Sequence, residues 1–463
     1  MNLLSSLTYI KILPFFLRKQ LIDGHERSLK AKKNIAASFF IKGFNIFISF
    51  ILVPLTIGYV NPTRYGIWIT LSSFIGWFSL SDIGLGNGLR NKFAEALATD
   101  KKELARTFVS TTYSIMGIIL LGIFLIFLLA YPFVDWSAIF NTPPELTKEL
   151  NLTVLFVFLF FILRFFLQIL NNVIIADQKP ALSNFITSLG SLLALIIIYI
   201  LTKVTSGSLV NLTFSLSFAP VIVLIIASFI FYTGKYRYYA PSFEYVNFKY
   251  SKELMTLGLR FFIIQIAYII MFTTDNMIIT QLFGPTEVTP YNISFRYFST
   301  VSLFFGIIIS PFWSAVTDAY FKNDFIWIKR MIKKLILIWI GFVFLVLIML
   351  FFSNVFYKFW IKNVVTIPMS ISVMMAISII VLTWSTIFSN FINGVGKIKL
   401  QMYSGILSAI INIPLAIILA KYLNLGIVGI LAASTFLQFI GAIWAPIQYL
   451  KIINSTATGI WAK

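Results

Sequence analysis

Lysine and arginine are concentrated on every second connection between the long apolar stretches of this chain. About twelve apolar stretches lie between Asn34 and Leu450, and a helix that crosses a bilayer needs roughly 20 such residues. With the amino terminus inside, 26 basic residues fall on cytoplasmic segments and 6 on outer ones. Because cytoplasmic loops retain Lys and Arg, the pattern predicts an all-α integral membrane protein with about twelve transmembrane helices and both termini cytoplasmic.

Composition argues against several other classes of protein. Of the 463 residues, 59% are hydrophobic and 11% are charged, against roughly 25% charged in an average soluble domain. The net charge of +20 lies in loops that flank the membrane, which favours contact with membrane lipids over nucleic acid. The chain has no Cys, and its single His, His25, precedes the spans. The sequence therefore predicts no metal site and no cofactor.

The predicted spans divide the chain into two halves of six. They are 34–58, 64–89, 107–131, 147–175, 180–202, 211–233, 252–283, 287–320, 326–353, 367–392, 399–420 and 426–450. The predicted organisation is a cytoplasmic or interfacial segment at 1–33, an amino-terminal lobe at 34–233, a cytoplasmic linker at 234–251, a carboxy-terminal lobe at 252–451 and a cytoplasmic tail at 452–463.

Short sequence matches indicate that the two halves are repeats. Phe40 in span 1 corresponds to Phe262 in span 7, and Gly58 before a short outer loop corresponds to Gly284. Because each half holds six spans, corresponding helices run in the same direction. We therefore expect two six-helix lobes related by a parallel pseudo-two-fold repeat, the plan of many two-lobed transporters.

Several spans carry polar residues at helical spacing, although such residues are costly to bury in hydrocarbon. Side chains three or four residues apart lie on one helix face, so each stripe is expected to face a cavity rather than lipid. The stripes are Ser38, Lys42, Asn45, Ser49 and Thr56 in span 1, Arg164, Gln168 and Asn171 in span 4, and Asn292, Arg296 and Ser299 in span 8.

Basic side chains inside the membrane predict an anionic ligand. Four are placed there: Lys42, Arg164, Arg260 and Arg296. Arg164 and Arg260 have no acidic partner in their own hairpins, and the planar guanidinium fork suits phosphate. We therefore expect these four residues to contact an anionic headgroup, with the alternative that Arg260 extends to the inner surface.

Two acids lie at depths that match two of these bases. Asp82 corresponds in depth to Lys42, and Asp275 corresponds to Arg296. Each acid either neutralises its base in a structural ion pair or lines a pathway and exchanges H⁺ or Na⁺. Both interpretations remain open, so Asp82 and Asp275 are candidate ion-coupling residues.

The segment 81–90 contains Gly84, Gly86 and Gly88 before Arg90 and superficially matches a glycine-rich phosphate loop. A dinucleotide fingerprint needs a preceding strand, and a membrane span leaves no place for one. These glycines are better explained by close helix packing at the inner end of span 2.

Three motifs, together with the topology, support a family resemblance. They are Lys33-Asn34-Ile35-Ala36, the turn from Gly58 to Gly66, and Asp82-Ile83-Gly84-Leu85-Gly86 followed by Arg90. On these motifs and the two-lobe plan, the chain resembles the Wzx-type polysaccharide flippases of the multidrug/oligosaccharidyl-lipid/polysaccharide exporter superfamily.

The resemblance implies an activity and a location. Such proteins move undecaprenyl-diphosphate-linked oligosaccharide, such as an O-antigen unit, from the inner to the outer leaflet of the bacterial plasma membrane by alternating access. A glycan polymerase and chain-length proteins are the implied partners. Hydrogen bonds to the glycan are expected from Asn45, Gln168, Asn171, Gln265 and Asn292.

Two alternatives remain beside this reading. A multidrug or cation antiporter of the same superfamily is disfavoured because four intramembrane bases outnumber two acids. A membrane-embedded glycan polymerase or glycosyltransferase is disfavoured because the largest outer connection, 132–146, is short for a catalytic loop.

Overall fold

The computed structural model describes residues 26–78, 85–177, 179–255, 273–321, 323–362 and 364–462. Within these ranges the regular structure is helical, with no strand, and ten helices are long and apolar enough to cross a membrane. The two other predicted spans, those in 64–89 and 252–283, lie partly outside the described residues. The predicted all-α membrane fold is confirmed.

The first half of the described chain folds into a series of helices. They are α1 (Glu26–Val60), α2 (Pro62–Trp77), α3 (Leu85–Ala98), α4 (Lys102–Ala130), α5 (Thr147–Leu167), α6 (Ile169–Ala176), α7 (Pro180–Val204) and α8 (Leu209–Thr233). Helix α1 thus begins before the predicted start of span 1 at residue 34, while residues 1–25 of the predicted interfacial segment lie outside the described chain.

The second half repeats this organisation. Helical residues 251–255 and 273–283 are followed by α9 (Val288–Phe321), α10 (Phe325–Ile361), α11 (Met369–Val395), α12 (Lys399–Ile417) and α13 (Gly426–Ile453). Helix ends are set by local chemistry. The Asp324 carboxylate accepts a hydrogen bond from the Trp327 N–H at the start of α10, and Gly396 ends α11 with a φ of 76°, a conformation that favours glycine.

Three short 3₁₀ turns make up the predicted linker between the halves: Arg237–Tyr239, Phe243–Tyr245 and Phe248–Tyr250. The start of the linker is fixed to the loop before α7 by Asp177. The Asp177 carboxylate accepts hydrogen bonds from Lys179 Nζ and Tyr236 Oη, both at 2.7 Å, and from Lys235 Nζ. Burial, together with the hydrogen bond to Asp177, raises the pKa of the Tyr236 hydroxyl well above its ordinary value.

Buried apolar side chains form three clusters that show how the halves are joined. One cluster draws on residues 67–254 and a second on residues 305–453. The third takes members from both halves, including Ile57 and Val288. The third cluster therefore joins the two bundles, the second belongs to the second bundle, and the first lies in the first bundle except for Leu254.

Two turns with the same unusual backbone establish the register of the repeat. Asn61 has a φ of 87° and precedes Pro62, and Gly284 has a φ of 92° and precedes Pro285. The structural counterpart of Gly284 is therefore Asn61. The predicted match with Gly58 is wrong in register, because Gly58 lies inside α1.

The repeated turns meet each other in a contact that we call the inter-lobe seam, formed by residues 62–73 and 276–292. The hydroxyl oxygens of Thr63 and Thr286 lie 2.9 Å apart, and the Thr289 hydroxyl donates at 2.7 Å to the carbonyl of the first residue of α2. Because equivalent residues meet equivalent residues, the seam lies on the pseudo-two-fold axis.

Close helix packing explains one of the glycines in segment 81–90. A Cβ on Gly88 would meet the carbonyl oxygen of Leu254, so only glycine lets α3 approach residues 251–255 this closely. Next to this contact, Lys92 Nζ lies 2.9 Å from the Glu253 carboxylate. The packing interpretation is confirmed for Gly88, whereas Gly84 lies outside the described residues.

Candidate functional site

The fourth span is broken in the middle of its polar stripe. Helix α5 ends at Leu167, Gln168 adopts a turn and α6 begins at Ile169. The Gln168 N–H donates to the Arg164 carbonyl and the Asn171 N–H donates to the Gln168 carbonyl, each at 2.9 Å. The backbone of Gln168 stays in the right-handed helical region, so the span is tightened locally rather than unwound. Such a tightening within a helix often marks a functional hinge.

A cavity of about 170 Å³ lies at this break. Three residues that the sequence predicted on one stripe all line it, and small or polar residues of α7 complete its wall. The lining includes Leu52, Arg164, Gln168, Asn171, Thr187, Gly190, Ser191 and Pro220. The structure therefore brings together one base, two amides and two hydroxyls.

Local packing shows why this wall forms. A Cβ on Gly190 would approach the Pro220 Cα to 3.0 Å, tighter than a relaxed contact. Glycine thus allows α7 to lie close against α8 beside the cavity. The short side chains of Thr187 and Ser191 leave the remaining space open toward Arg164.

Two groups in the cavity lack partners in the part of the chain that the structure describes. The Arg164 side chain is exposed although it lies inside a span, and no carboxylate of the described residues is within ion-pair distance of it. The Asn171 Oδ1 atom is buried with no hydrogen-bond partner among these residues. Buried polar groups are normally satisfied, so the cavity has unused capacity to bind a charged, hydrogen-bonding ligand.

Helix α1 presents two different exposed faces. At about 100° per residue, Lys42 and Asn45 lie on the side opposite an exposed apolar stripe. That stripe consists of Phe40, Phe44, Phe47 and Ile51. Lys42 is exposed and Asn45 is half-buried. The arrangement separates Lys42 from the apolar face, as expected for a residue that borders an internal space.

Helix α9 also has distinct faces. Its buried face includes Phe298, Val301 and Phe305, while Arg296 is half-buried. At about 100° per residue, Arg296 lies on the side of α9 opposite this buried face.

The Asp275 carboxylate lies in a buried hydrogen-bond network of the second bundle. Asp275 is 3% exposed and accepts hydrogen bonds from Tyr291 Oη at 3.0 Å and Ser434 Oγ at 3.3 Å. Asn412 Nδ2 donates to the Ser434 hydroxyl at 2.9 Å. Two helices, α9 and α13, therefore donate hydrogen bonds to this acid from neutral groups, and α12 supports one of the donors.

Of the two alternatives for Asp275, the ion pair with Arg296 is absent from the described part of the chain. Tyr291, which does contact Asp275, lies five residues before Arg296 on α9. Five residues separate Tyr291 and Arg296 by roughly 140° around the helix. Arg296 therefore matches Asp275 in depth but points in a different direction from Tyr291. The other predicted pair cannot be followed, because Asp82 lies outside the described residues, as do Arg260 and Gln265.

The seam contains polar residues that the sequence stripes did not identify. The hydroxyls of Thr70 and Thr280 lie 2.6 Å apart, and Asn276 Nδ2 donates to Ser73 Oγ at 2.8 Å. Asn292, predicted to contact glycan, donates to Asn276 Oδ1 at 2.7 Å and so joins the seam. Their helical spacing in the sequence could have identified them. Thr70 and Ser73 are three residues apart, and Asn276 and Thr280 are four residues apart.

Comparison with known proteins places the chain among related sequences. The family described as "Polysaccharide biosynthesis protein" matches residues 31–315, and the family described as "MatE" matches residues 261–418. A protein of Yersinia pseudotuberculosis named "Putative O-antigen export protein" is 23% identical over 422 residues, which cover 89% of this chain and 93% of that protein. One of Salmonella typhi named "Putative O-antigen transporter" is 22% identical over 289 residues, covering 62% and 64%.

Solved structures agree on the architecture. A multidrug resistance MATE family transporter of the MOP superfamily in an inward-facing conformation superposes with a TM-score of 0.72 at 15% identity, covering 89% of this chain and all of that one (100%). An outward-facing structure of a MATE family transporter gives a TM-score of 0.63 at 17% identity, covering 94% and 98%. The described chain therefore has the MATE-type transporter fold.

Proposed function

The chain is a multi-pass membrane transporter that belongs to the polysaccharide biosynthesis protein family, and we propose that it is a lipid-linked oligosaccharide flippase. Its substrate is an undecaprenyl-diphosphate-linked oligosaccharide, such as an O-antigen repeat unit. It moves this lipid from the inner to the outer leaflet of the bacterial plasma membrane by alternating access. The relatives named for O-antigen export support the polysaccharide class of substrate.

The observation that carries the proposal is the unpaired guanidinium of Arg164. A charge inside a membrane span is costly unless it meets a partner or a water-filled space, and Arg164 borders a polar cavity at a helix break. The guanidinium fork matches the paired oxygens of a diphosphate, and Gln168 and Asn171 add hydrogen-bonding groups for the phosphate or the first sugar. Lys42 and Arg296 extend the positive charge along the route, and Arg260 remains a proposed member.

The position of the seam supports a substrate site that opens to the cytoplasmic side in this conformation. The positive-inside pattern assigns the turns at 61–66 and 284–289 to the outer side. At that side, Arg64 forms an ion pair with Glu149 at 3.1 Å. The two bundles contact each other through the seam. With its turns on the outer side, we propose that this conformation is closed to the outside. Opening the seam while the opposite end closes would move the site to the outer leaflet.

Asp275 is proposed as the coupling residue for H⁺ or Na⁺. It is a carboxylate within a span, surrounded by Tyr291 and Ser434 rather than by a base. A carboxylate without a basic partner can take up a cation and release it when its surroundings change. Asp82 remains a second candidate. A glycan polymerase and chain-length proteins are proposed partners that receive the flipped product.

The test is leaflet exchange in liposomes that contain the purified protein. A short-chain polyprenyl-diphosphate oligosaccharide carries a fluorophore, and a membrane-impermeant quencher reports its arrival at the outer leaflet. We expect the protein to accelerate exchange of this lipid, but not of the same glycan on an uncharged lipid. Exchange at the rate of empty liposomes, together with transport of a cationic dye by the same protein, would overturn the proposal in favour of a cation antiporter.

A further inference from the structure

A second, larger recess lies on the first bundle, away from Arg164. It has a volume of about 860 Å³ and runs along α4 beneath the linker. Its lining is mostly apolar and includes Gly117, Ile118, Leu121, Phe166, Phe243 and Phe248. Ile118 and Leu121 are 62% and 57% exposed, so the recess opens on a lipid-facing side of α4. We call it the linker groove.

The linker forms a fixed roof over this groove. The Ser242 N–H donates to Ser110 Oγ at 3.1 Å, and the Asn247 N–H donates to Thr111 Oγ1 at 3.0 Å. Two consecutive residues of α4 thus hold the backbone on both sides of the turn Phe243–Tyr245. The groove is therefore a built feature of the fold, and its width is set by hydrogen bonds.

The inner wall of the groove is mostly apolar, with a few hydroxyl groups. The hydroxyl groups of Tyr113 and Tyr232 hydrogen-bond to each other at 3.1 Å. The ring of Phe166 lies edge-on to Tyr113, with centroids 5.2 Å apart. The two tyrosine hydroxyls pair with each other, and the Ser228 Oγ on the same wall is buried without a hydrogen-bond partner among the described residues. Since most of the remaining lining is apolar, the groove suits an aliphatic chain.

Positive charge lies one helical turn before Ser110 on α4, at the end of the groove that we call its mouth. The Arg106 guanidinium lies 4.0 Å from the centre of the Tyr245 ring, and its Nε donates to the Ala240 carbonyl at 3.3 Å. Its η nitrogens make no hydrogen bond to the described residues, and Lys249 is exposed on the next turn of the linker. One acid, Glu244, is also exposed on this roof. The oriented fork of Arg106 offers N–H donors to a phosphate at the level of the membrane surface.

We infer that the linker groove binds one anionic glycerophospholipid of the host membrane. One acyl chain fills the apolar recess, and the headgroup phosphate contacts Arg106. The apolar lining and the opening toward lipid suit the acyl chains of such a molecule, and the adjacent base suits its phosphate. Phe243 is 94% exposed and anchors the roof in the interfacial layer, as aromatic residues do at membrane surfaces. The bound lipid fixes the linker to the first bundle.

The groove offers a matched pair of variants. A Cβ on Gly117 would lie 3.5 Å from the Phe166 ring, an ordinary contact, and a Cβ on Gly122 would have nothing within 4 Å. Gly117→Leu therefore places a side chain in the groove, whereas Gly122→Leu adds the same side chain to the same helix outside the groove lining. Arg106→Gln removes the charge at the mouth.

The experiment is native mass spectrometry of the full chain purified from membranes that contain phosphatidylglycerol and phosphatidylethanolamine. We expect one retained phosphatidylglycerol on the unaltered protein and on Gly122→Leu, and at least about tenfold less on Gly117→Leu, because overfilling a packed site is unfavourable. Arg106→Gln should lower the preference for phosphatidylglycerol by about tenfold to a hundredfold.

Three results would overturn the inference. They are equal retention by Gly117→Leu and Gly122→Leu, an unchanged lipid preference in Arg106→Gln, and a retained mass that corresponds to a polyprenyl lipid. Should Gly117→Leu fail to fold, the Arg106→Gln comparison decides alone. Transport is not part of this readout, so the outcome is independent of the flippase proposal.

Discussion

The two bundles each hold an ionisable residue within a span, but they treat it in opposite ways. In the first bundle, Arg164 borders a cavity, and Asn171 beside it retains an unsatisfied oxygen. In the second bundle, Asp275 is buried and accepts hydrogen bonds from Tyr291 and Ser434. Among the described residues, the Arg164 side chain has no ion-pair or hydrogen-bond partner, whereas the Asp275 carboxylate has two donors.

This difference separates a binding role from a structural one. A side chain without partners among the described residues contributes little to folding, so its presence inside a span points to a ligand. A side chain within a satisfied network contributes to stability, and any role in coupling comes in addition. Substitutions at Arg164 should therefore change transport at constant stability, whereas substitutions at Asp275 should change stability as well.

The largest effect is expected for Arg164→Ala. Loss of charged hydrogen bonds, each worth about 1.5–3 kcal/mol, should reduce leaflet exchange of the diphosphate-linked lipid by about tenfold to a hundredfold. The melting temperature should stay nearly constant. Arg164→Lys keeps the charge but loses the fork, so it should retain an intermediate rate. A large fall in melting temperature for Arg164→Ala would show that the base is structural, and the comparison would fail.

A carboxylate placed across the cavity from Arg164 should give this base a partner within the protein, as Asp275 has in the second bundle. Thr187 lines the same cavity as Arg164, and Thr187→Glu gives the guanidinium a partner within the protein. We expect exchange to fall by about tenfold, since competing with a partly desolvated ion pair costs roughly 1–2 kcal/mol. Thr187→Gln has the same shape without the charge and serves as the control. Equal rates in the Glu and Gln variants would refute the role of charge.

Asp275→Ala tests the other side of the comparison. It removes the acceptor for Tyr291 and Ser434 and leaves buried groups unsatisfied, at about 1–3 kcal/mol each. Thermal unfolding in detergent should therefore occur at a clearly lower temperature. Asp275→Asn keeps an acceptor oxygen, so it should unfold nearer to the unaltered protein while its exchange rate no longer responds to an imposed H⁺ or Na⁺ gradient. A gradient response that survives in Asp275→Asn would exclude this residue as the coupling site.

The smallest effect is expected at the seam, where the two bundles meet. Thr70→Val removes the hydrogen bond to the Thr280 hydroxyl at nearly constant volume, at a cost of about 1 kcal/mol. The closed conformation should become less populated, so a cysteine introduced at Thr63 should be labelled faster by an impermeant thiol reagent; the natural chain has no Cys to interfere. Unchanged labelling would show that the seam does not control access.

Sequence patterns predicted the fold and part of the site for identifiable reasons. The spacing of Arg164, Gln168 and Asn171 placed them on one helix face, and the structure confirms that they line one cavity. Their spacing lies within one span, so it needed no knowledge of neighbouring helices. The helix break at Gln168 left no separate signal in the composition.

Relations between helices were not accessible in the same way. Asp275 and Arg296 match in depth, but depth does not fix the rotation of a helix, and the structure directs Asp275 toward Tyr291 instead. The seam pairs Thr70 with Thr280, residues of different bundles whose contact depends on how the bundles pack. Tertiary packing decided both cases.

The central claim, that Arg164 recognises an anionic lipid headgroup, is tested most directly by ligand-induced stabilisation. A ligand that binds only the folded protein raises its unfolding temperature with concentration. We predict that a short-chain prenyl diphosphate stabilises the unaltered protein more than the matching monophosphate, and that Arg164→Ala loses this response. Equal stabilisation of the unaltered protein and Arg164→Ala by the diphosphate would contradict the account.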